Sequence, residues 1–176
     1  MDLIGADERA IGDVDGRSFR PLIEGQACES PTAYLSVSGL PADLEIRGVR
    51  TEEFKYTFGP QNPELPEELY DLQADPYEVN NLVDSPAHRE TLERLRKAHR
   101  EHVLSIRDVG FLPEGEIHSR SGASTPYEMG HDPQKYPLER ILAAAETASS
   151  LRPDATPALV RALEDSDSAV LSLIHI

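Results

Sequence analysis

Hydrophobic and polar positions alternate through the first third of the chain. Ala33-Tyr34-Leu35-Ser36-Val37-Ser38 interleaves apolar and small polar residues. Gly39-Leu40-Pro41-Ala42-Asp43 interrupts the pattern, and Leu44-Glu45-Ile46-Arg47-Gly48-Val49-Arg50 resumes it, with Glu45 and Arg47 facing opposite to Leu44 and Ile46. Phe54-Lys55-Tyr56-Thr57-Phe58 alternates aromatic and polar residues and stops at Gly59-Pro60; residues 67–72, with Leu69, Tyr70 and Leu72, close the series. Alternation of this kind predicts three or four short strands, and their close spacing favours antiparallel pairing. Asp75-Pro76 then predicts a turn, because Pro fixes φ and Asp can bond the backbone two residues on.

The period changes after Asn80-Asn81-Leu82. Ser85-Pro86 is a helix start, with Ser as N-cap and Pro at the first helical position. Leu92, Leu95, Ala98, His99, His102, Val103 and Ile106 form one stripe, and Glu90, Glu93, Arg94, Arg96, Lys97, Arg100 and Glu101 occupy the outer face. Glu90–Arg94 and Glu93–Lys97 are spaced as supporting ion pairs. Residues 109–136 are rich in Gly, Ser and Pro and are predicted as a long connecting loop. From Pro137 the pattern is helical again. Leu138, Ile141, Leu142, Ala145 and Ala148 share one face, and Thr156-Pro157 starts a helix with Leu159, Val160 and Leu163 inward. An acidic turn, Glu164–Ser168, leads to a final apolar run from Ala169. Two short helices joined in this way resemble one α-solenoid repeat, which needs stacked neighbours to bury its faces. The expected fold is therefore α+β: a small antiparallel sheet covered by a long amphipathic helix, then a long loop and a short all-α tail. Little structure is expected in residues 1–25, where Asp15-Gly16 signals a turn. Ile176 falls in mid-element, so the chain is expected to be cut from something larger at both ends, with last residues that need not be native.

Composition narrows the partners. The chain carries 32 acidic against 17 basic residues, a formal charge of −15. Phosphate-rich partners would meet a like charge, so nucleic acid and anionic membranes are not expected partners, although a local basic pocket remains open. No apolar run approaches the ~20 residues of a membrane span. The first residues lack a basic region followed by an apolar core, which excludes a signal peptide there. That favours the cytoplasm for a complete chain and says nothing for a fragment.

Candidate chemistry is sparse. His99 and His102 lie three residues apart on the helix and could share a metal, but they have no third ligand in register; two histidines at the edge of a helix stripe is the plainer reading. His118 and His131, with Ser119, Ser121 and Asp132, fall in the polar connection, as a loop site or as solvated linker. Cys28 is the single cysteine, has Glu29 beside it, and lacks the electropositive surroundings of a reactive thiolate. Asp71, Asp75 and Glu78 suit turn and capping work. Arg47, Arg50 and Lys55 could rim an anion site or simply face solvent. No catalytic, cofactor-binding or metal-binding residue is assigned.

Wording adds what chemistry does not. Asp15-Gly16-Arg17-Ser18-Phe19, with Pro21, Leu22, Ile23 and Gly25, resembles a segment near the end of the catalytic domain of sulfatases, in the alkaline-phosphatase-like superfamily. Arg47–Tyr56 resembles their C-terminal strands. Glu68-Leu69-Tyr70-Asp71-Leu72, followed by Asp75-Pro76, Glu78 and Asn80-Asn81-Leu82, resembles their C-terminal signature. The tail from Pro137 is similar to a HEAT-type repeat, which some bacterial sulfatase-like proteins carry.

The resemblance implies a division into the end of an upstream catalytic domain (1–25), a C-terminal subdomain (26–108), a linker (109–136) and a partial helical repeat (137–176). It implies a parent that hydrolyses sulfate esters or sulfamates on a small molecule or glycan. That parent would use calcium and a formylglycine made in a Cys/Ser-x-Pro-x-Arg motif, and a periplasmic or secreted location. Cys28-Glu29-Ser30-Pro31-Thr32 does not fit that motif, since Pro comes one place late and Arg is missing. The fragment alone is expected to be inactive, packed against the upstream domain. Two alternatives stand: a scaffolding module built on the helical repeat, and a phosphoesterase of the same superfamily.

Overall fold

Four strands form an antiparallel sheet in the order β1-β2-β3-β4: β1 Ala33–Val37, β2 Ile46–Arg50, β3 Phe54–Phe58 and β4 Glu67–Asp71. The computed structural model describes residues 20–26, 32–37, 46–60 and 67–174. Cys28, His175, the turn at Asp15-Gly16 and the break at Gly39–Asp43 lie outside the described residues. The chain divides into two units, Met1–Pro31 and Thr32–Ile176. In the first, a single helical turn, α1 (Arg20–Ile23), ends at Gly25 with φ 72°.

Strand register builds the core. Val49 pairs with Tyr56, and Tyr56 with Leu69, so these three side chains line up across one face of the sheet. All three are buried, as is Phe58. Helix α2 (Arg89–Ile106) covers that face with Leu92, Leu95, His99 and Val103. A 3-10 turn, Pro86–His88, precedes it. Ser85 caps no backbone N–H; its hydroxyl instead meets the His88 Nδ1 at 2.9 Å. The two expected i, i+4 pairs give way to Arg96 with Glu93 and Lys97 with Glu101. Ile106 is half exposed, so the apolar stripe stops one turn short of the helix end.

The stretch predicted as a long loop carries two helices, α3 (Glu114–Ser121) and α4 (Pro126–Gly130). Phe111, Leu112, Met129 and Tyr136 from this stretch are buried in the same core as the sheet and α2. The reason is local. Thr125 and Glu128 form a reciprocal capping box, each side chain taking the other residue's backbone N–H. Arg107, left-handed at the α2 C-cap, donates to the carbonyls of Gly130 and Tyr136, both at 2.8 Å, and ties the stretch back to the helix. Helices α5 (Leu138–Ser149), α6 (Thr156–Ala162) and α7 (Ser168–Ile174) follow, with α5 packed on both others. An acidic turn joins α6 to α7, as its sequence predicts.

Candidate functional site

The turn after β4 is built from its own side chains. One Asp71 carboxylate oxygen accepts the backbone N–H groups of Gln73 and Ala74, both at 2.9 Å. One Asp75 oxygen accepts those of Val79 and Asn80, at 2.8 and 2.7 Å, and the backbone bonds hold its carboxyl below the ordinary range. Asn81 then does the work of a further strand. Its Oδ1 accepts from Leu69 N, its Nδ2 donates to Glu67 O, and Leu82 N donates to Leu69 O. The outer edge of β4 is thereby covered, which removes an open edge as a site of misassociation. Glu78 goes beyond turn work: at φ 56° it pairs with Lys55 and lies 3.9 Å from Arg50.

Arg47, the third of the strand cations, does not face solvent. It is 5% exposed and forms an ion pair with Asp108. Its guanidinium also lies 4.4 Å from the centre of the Phe111 ring. Burial alone would raise the Asp108 carboxyl, but the Arg47 hydrogen bond and charge, with the Gly110 N–H, hold it below the ordinary range. Arg47 shares its side of the strand with Val49, and Val49 is the signal that this is the inward face. The three cations form no open anion rim, one of the two readings of their spacing: all three meet carboxylates of the chain itself.

A cleft of about 420 Å³ opens between α2, the Phe58–Glu67 end of the sheet and the C-terminal end of α5. Glu67 organises one wall. It accepts from the Tyr56 hydroxyl at 2.7 Å and from two nitrogens of Arg96, while Arg96 reaches Glu93 at 2.9 Å. Burial, then Glu67, raises the Tyr56 phenol well above its usual range, and Glu67 keeps Arg96 protonated. Arg100 pairs with Glu146 across the cleft. His99 lies at its floor, edge-on to Tyr56 and Phe58. Burial first, and then the charge of Arg47, lower the His99 imidazole to about 4, so it is neutral near pH 7. Its Nε2 has no hydrogen-bond partner and is shut from solvent.

The remaining candidates do not converge. His102 stacks on Tyr34, ring centres 3.6 Å apart, while His99 turns into the core, so the two do not share a ligand position. His118 lies exposed beside Glu114 at 4.0 Å, and His131 bonds the Tyr127 carbonyl at the end of α4. Ser121 bonds the Ile117 carbonyl, and Asp132 bonds the Gln134 N–H of its own turn. Among the described residues, no group of His, Cys, Asp and Glu is placed to hold a metal ion. No helix among them is long and apolar enough to cross a membrane.

Comparison with known proteins places this architecture. The chain is 36% identical over 74 residues to an ulvan-active sulfatase of Formosa agariphila, covering 42% of this chain and 12% of that protein. It is similar to a solved structure in complex with its substrate, D-glucosamine-2-N, 6-O-disulfate, at 25% identity and TM-score 0.46, covering 52% of this chain and 20% of that one. It is also similar to a 2-O GAG sulfatase at 25% identity and TM-score 0.44, covering 53% and 21%. The chain thus spans about an eighth to a fifth of the length of these relatives. The model of the family described as N-sulphoglucosamine sulphohydrolase, C-terminal, matches residues 1–103, which hold the sheet, the Asp75–Leu82 turn and most of α2. That match takes in more than half of the 176 residues, and the chain belongs to this family of sulfatase C-terminal domains.

Proposed function

We propose that this chain is the C-terminal portion of a larger hydrolase acting on sulfate esters or sulfamates of a sugar. The family match across the sheet and α2 carries this reading, supported by the sulfatases among the relatives. On this reading the nucleophile, as a formylglycine, and a calcium ion lie in the upstream α/β domain. The described residues here do not fit a metal, and no step of the reaction is drawn through them. The chain's role is to pack on that domain as a pre-formed block, in which residues 109–136 share the core of the sheet and α2.

Mass spectrometry of the parent tests the assignment. A Cys or Ser upstream, in a Cys/Ser-x-Pro-x-Arg context, should carry the formylglycine mass, and the parent should hydrolyse an aryl sulfate in preference to an aryl phosphate. An unmodified Ser or Thr nucleophile with preference for phosphate would make it a phosphoesterase instead. One observation favours a second role for the tail. Val160 on α6 and Leu163 at its C-cap are 58% and 50% exposed, whereas Ala169, Val170 and Leu173 on α7 are buried. An apolar outer face of this kind suits stacking of a further helical repeat and a scaffolding function. Several further repeats in the parent's sequence would support that role, and their absence would remove it.

A further inference from the structure

Tyr77 and Val79 are the two most exposed large hydrophobic side chains among the described residues, at 86% and 74%. The turn that carries them is tightly held. The Asp75 carboxylate accepts the backbone N–H groups of Val79 and Asn80, and the Asp75 carbonyl accepts that of Glu78 at 3.1 Å. Glu78 adopts φ 56°, a left-handed conformation that residues other than glycine rarely take. Its carboxylate pairs with Lys55 and lies 3.9 Å from Arg50. These two cations are paired in register and alternate with Val49 and Tyr56, which lie under α2, so the turn folds onto the opposite face of the sheet. With Glu78 turned to the sheet, the side chains on either side of it are left in solvent.

A fixed backbone that presents a Tyr and a Val to water adds nothing to the core of this chain. It does lower the ordering cost of docking against another surface. Tyr suits such a contact, because its ring buries a large area with few rotamers and its hydroxyl bonds at the rim. Other surfaces of the block are already used: α2 covers one face of the sheet, the tail shares that core, and Asn81 covers the β4 edge. The family match takes in the turn, and the chain covers 12% of the length of the ulvan-active sulfatase it resembles. Two side chains cover far less than the roughly 800 Å² per partner of a stable dimer. A contact this small holds when both surfaces belong to one chain, because their effective concentration is high. We propose that Tyr77 and Val79 form the knob that seats this chain on the upstream domain of its parent. The receiving hollow is apolar inside and offers the Tyr77 hydroxyl a hydrogen-bond partner at its rim. This rests on the reading of the chain as one block of a larger hydrolase, not on which ester that hydrolase cleaves.

Photo-crosslinking in the full parent tests this. The photoreactive residue p-benzoylphenylalanine replaces Tyr77, the protein is irradiated, and the joined peptides are sequenced by mass spectrometry. The expected product is monomeric, with position 77 joined to a peptide before Gln26, where the upstream domain ends on this reading. Products joined only between two copies would make the turn a dimer contact and overturn the proposal. Products joined only within residues 26–176, or no product, would overturn it too. In a second arm, Tyr77→Ser with Val79→Ser in the parent should speed limited proteolysis between the upstream domain and β1 roughly ten-fold, as the undocked form becomes more populated. The same two changes in the 176-residue chain should leave its urea midpoint unchanged, because neither side chain packs in its core. Unchanged proteolysis of the parent, or a lowered midpoint in the chain alone, overturns the proposal. Neither arm reads hydrolysis, so an unmodified nucleophile with a preference for phosphate would end the sulfatase reading and leave the docking result standing.

Discussion

Removing one partner of a buried ion pair leaves the other charge without compensation, and Arg47 with Asp108 is such a pair. Arg47→Ala or Asp108→Ala should each cost about 3–5 kcal/mol in urea unfolding, and replacing both by apolar residues should cost much less. Gly110 lies against this pair: a Cβ there would overlap the Arg47 Nη2, so Gly110→Ala should destabilise by about 1–3 kcal/mol through displaced packing. His99 governs the acid side. Its folded value, about 4, lies below the ordinary 6.5, so the unfolded chain takes up the proton first. Stability is complete above pH 6.5 and should fall by about 3 kcal/mol as pH drops toward 4. Asp108, also held low, adds a loss at still lower pH, as the solution falls through its folded-state value. Unfolding curves across this range should flatten between 6.5 and 4 in His99→Leu; an unchanged slope would mean that His99 is not the group responsible.

Among the elements, the Asn81 side chain is a strand substitute, and its effect is local. Asn81→Ala leaves Leu69 N and Glu67 O at the β4 edge without their partners, so it should cost about 2 kcal/mol. The Leu69 amide should exchange hydrogen faster than the amides of β2; equal protection in the variant would contradict the edge role. Alternation was enough to place the strands, and β3 runs over the same five residues that it predicts. What alternation does not encode is which face turns inward. The chemistry of Ile46 and Arg47 suggests core and surface, whereas Val49, in phase with Arg47, marks the buried side. The connection after α2 departs from its predicted loop for a related reason. Its Gly, Ser and Pro content signals loop, but Thr125 and Glu128 spell a capping box, and Phe111, Leu112, Met129 and Tyr136 are apolar anchors too widely spaced to form a period.

On the scale of the whole molecule, the chemistry of the described residues is structural: cations meet carboxylates, and buried or stacked histidines meet rings. The family was legible in the wording of residues 47–82, because a signature whose Asp75 and Asn81 complete specific backbone bonds leaves little choice of residue. The cleft was not legible, because it brings Arg96 and Arg100 of α2 together with Glu146 of α5 and Arg152 in the turn after it, and pairing at that distance has no local pattern. The central claim is that this chain is one block of a sulfatase whose reactive centre lies elsewhere. The most direct test is hydrolysis of an aryl sulfate and a sulfated glucosamine by the purified 176-residue chain, measured beside the parent that includes its upstream domain. The account predicts turnover by the parent and none by the chain; turnover by the chain alone would contradict it.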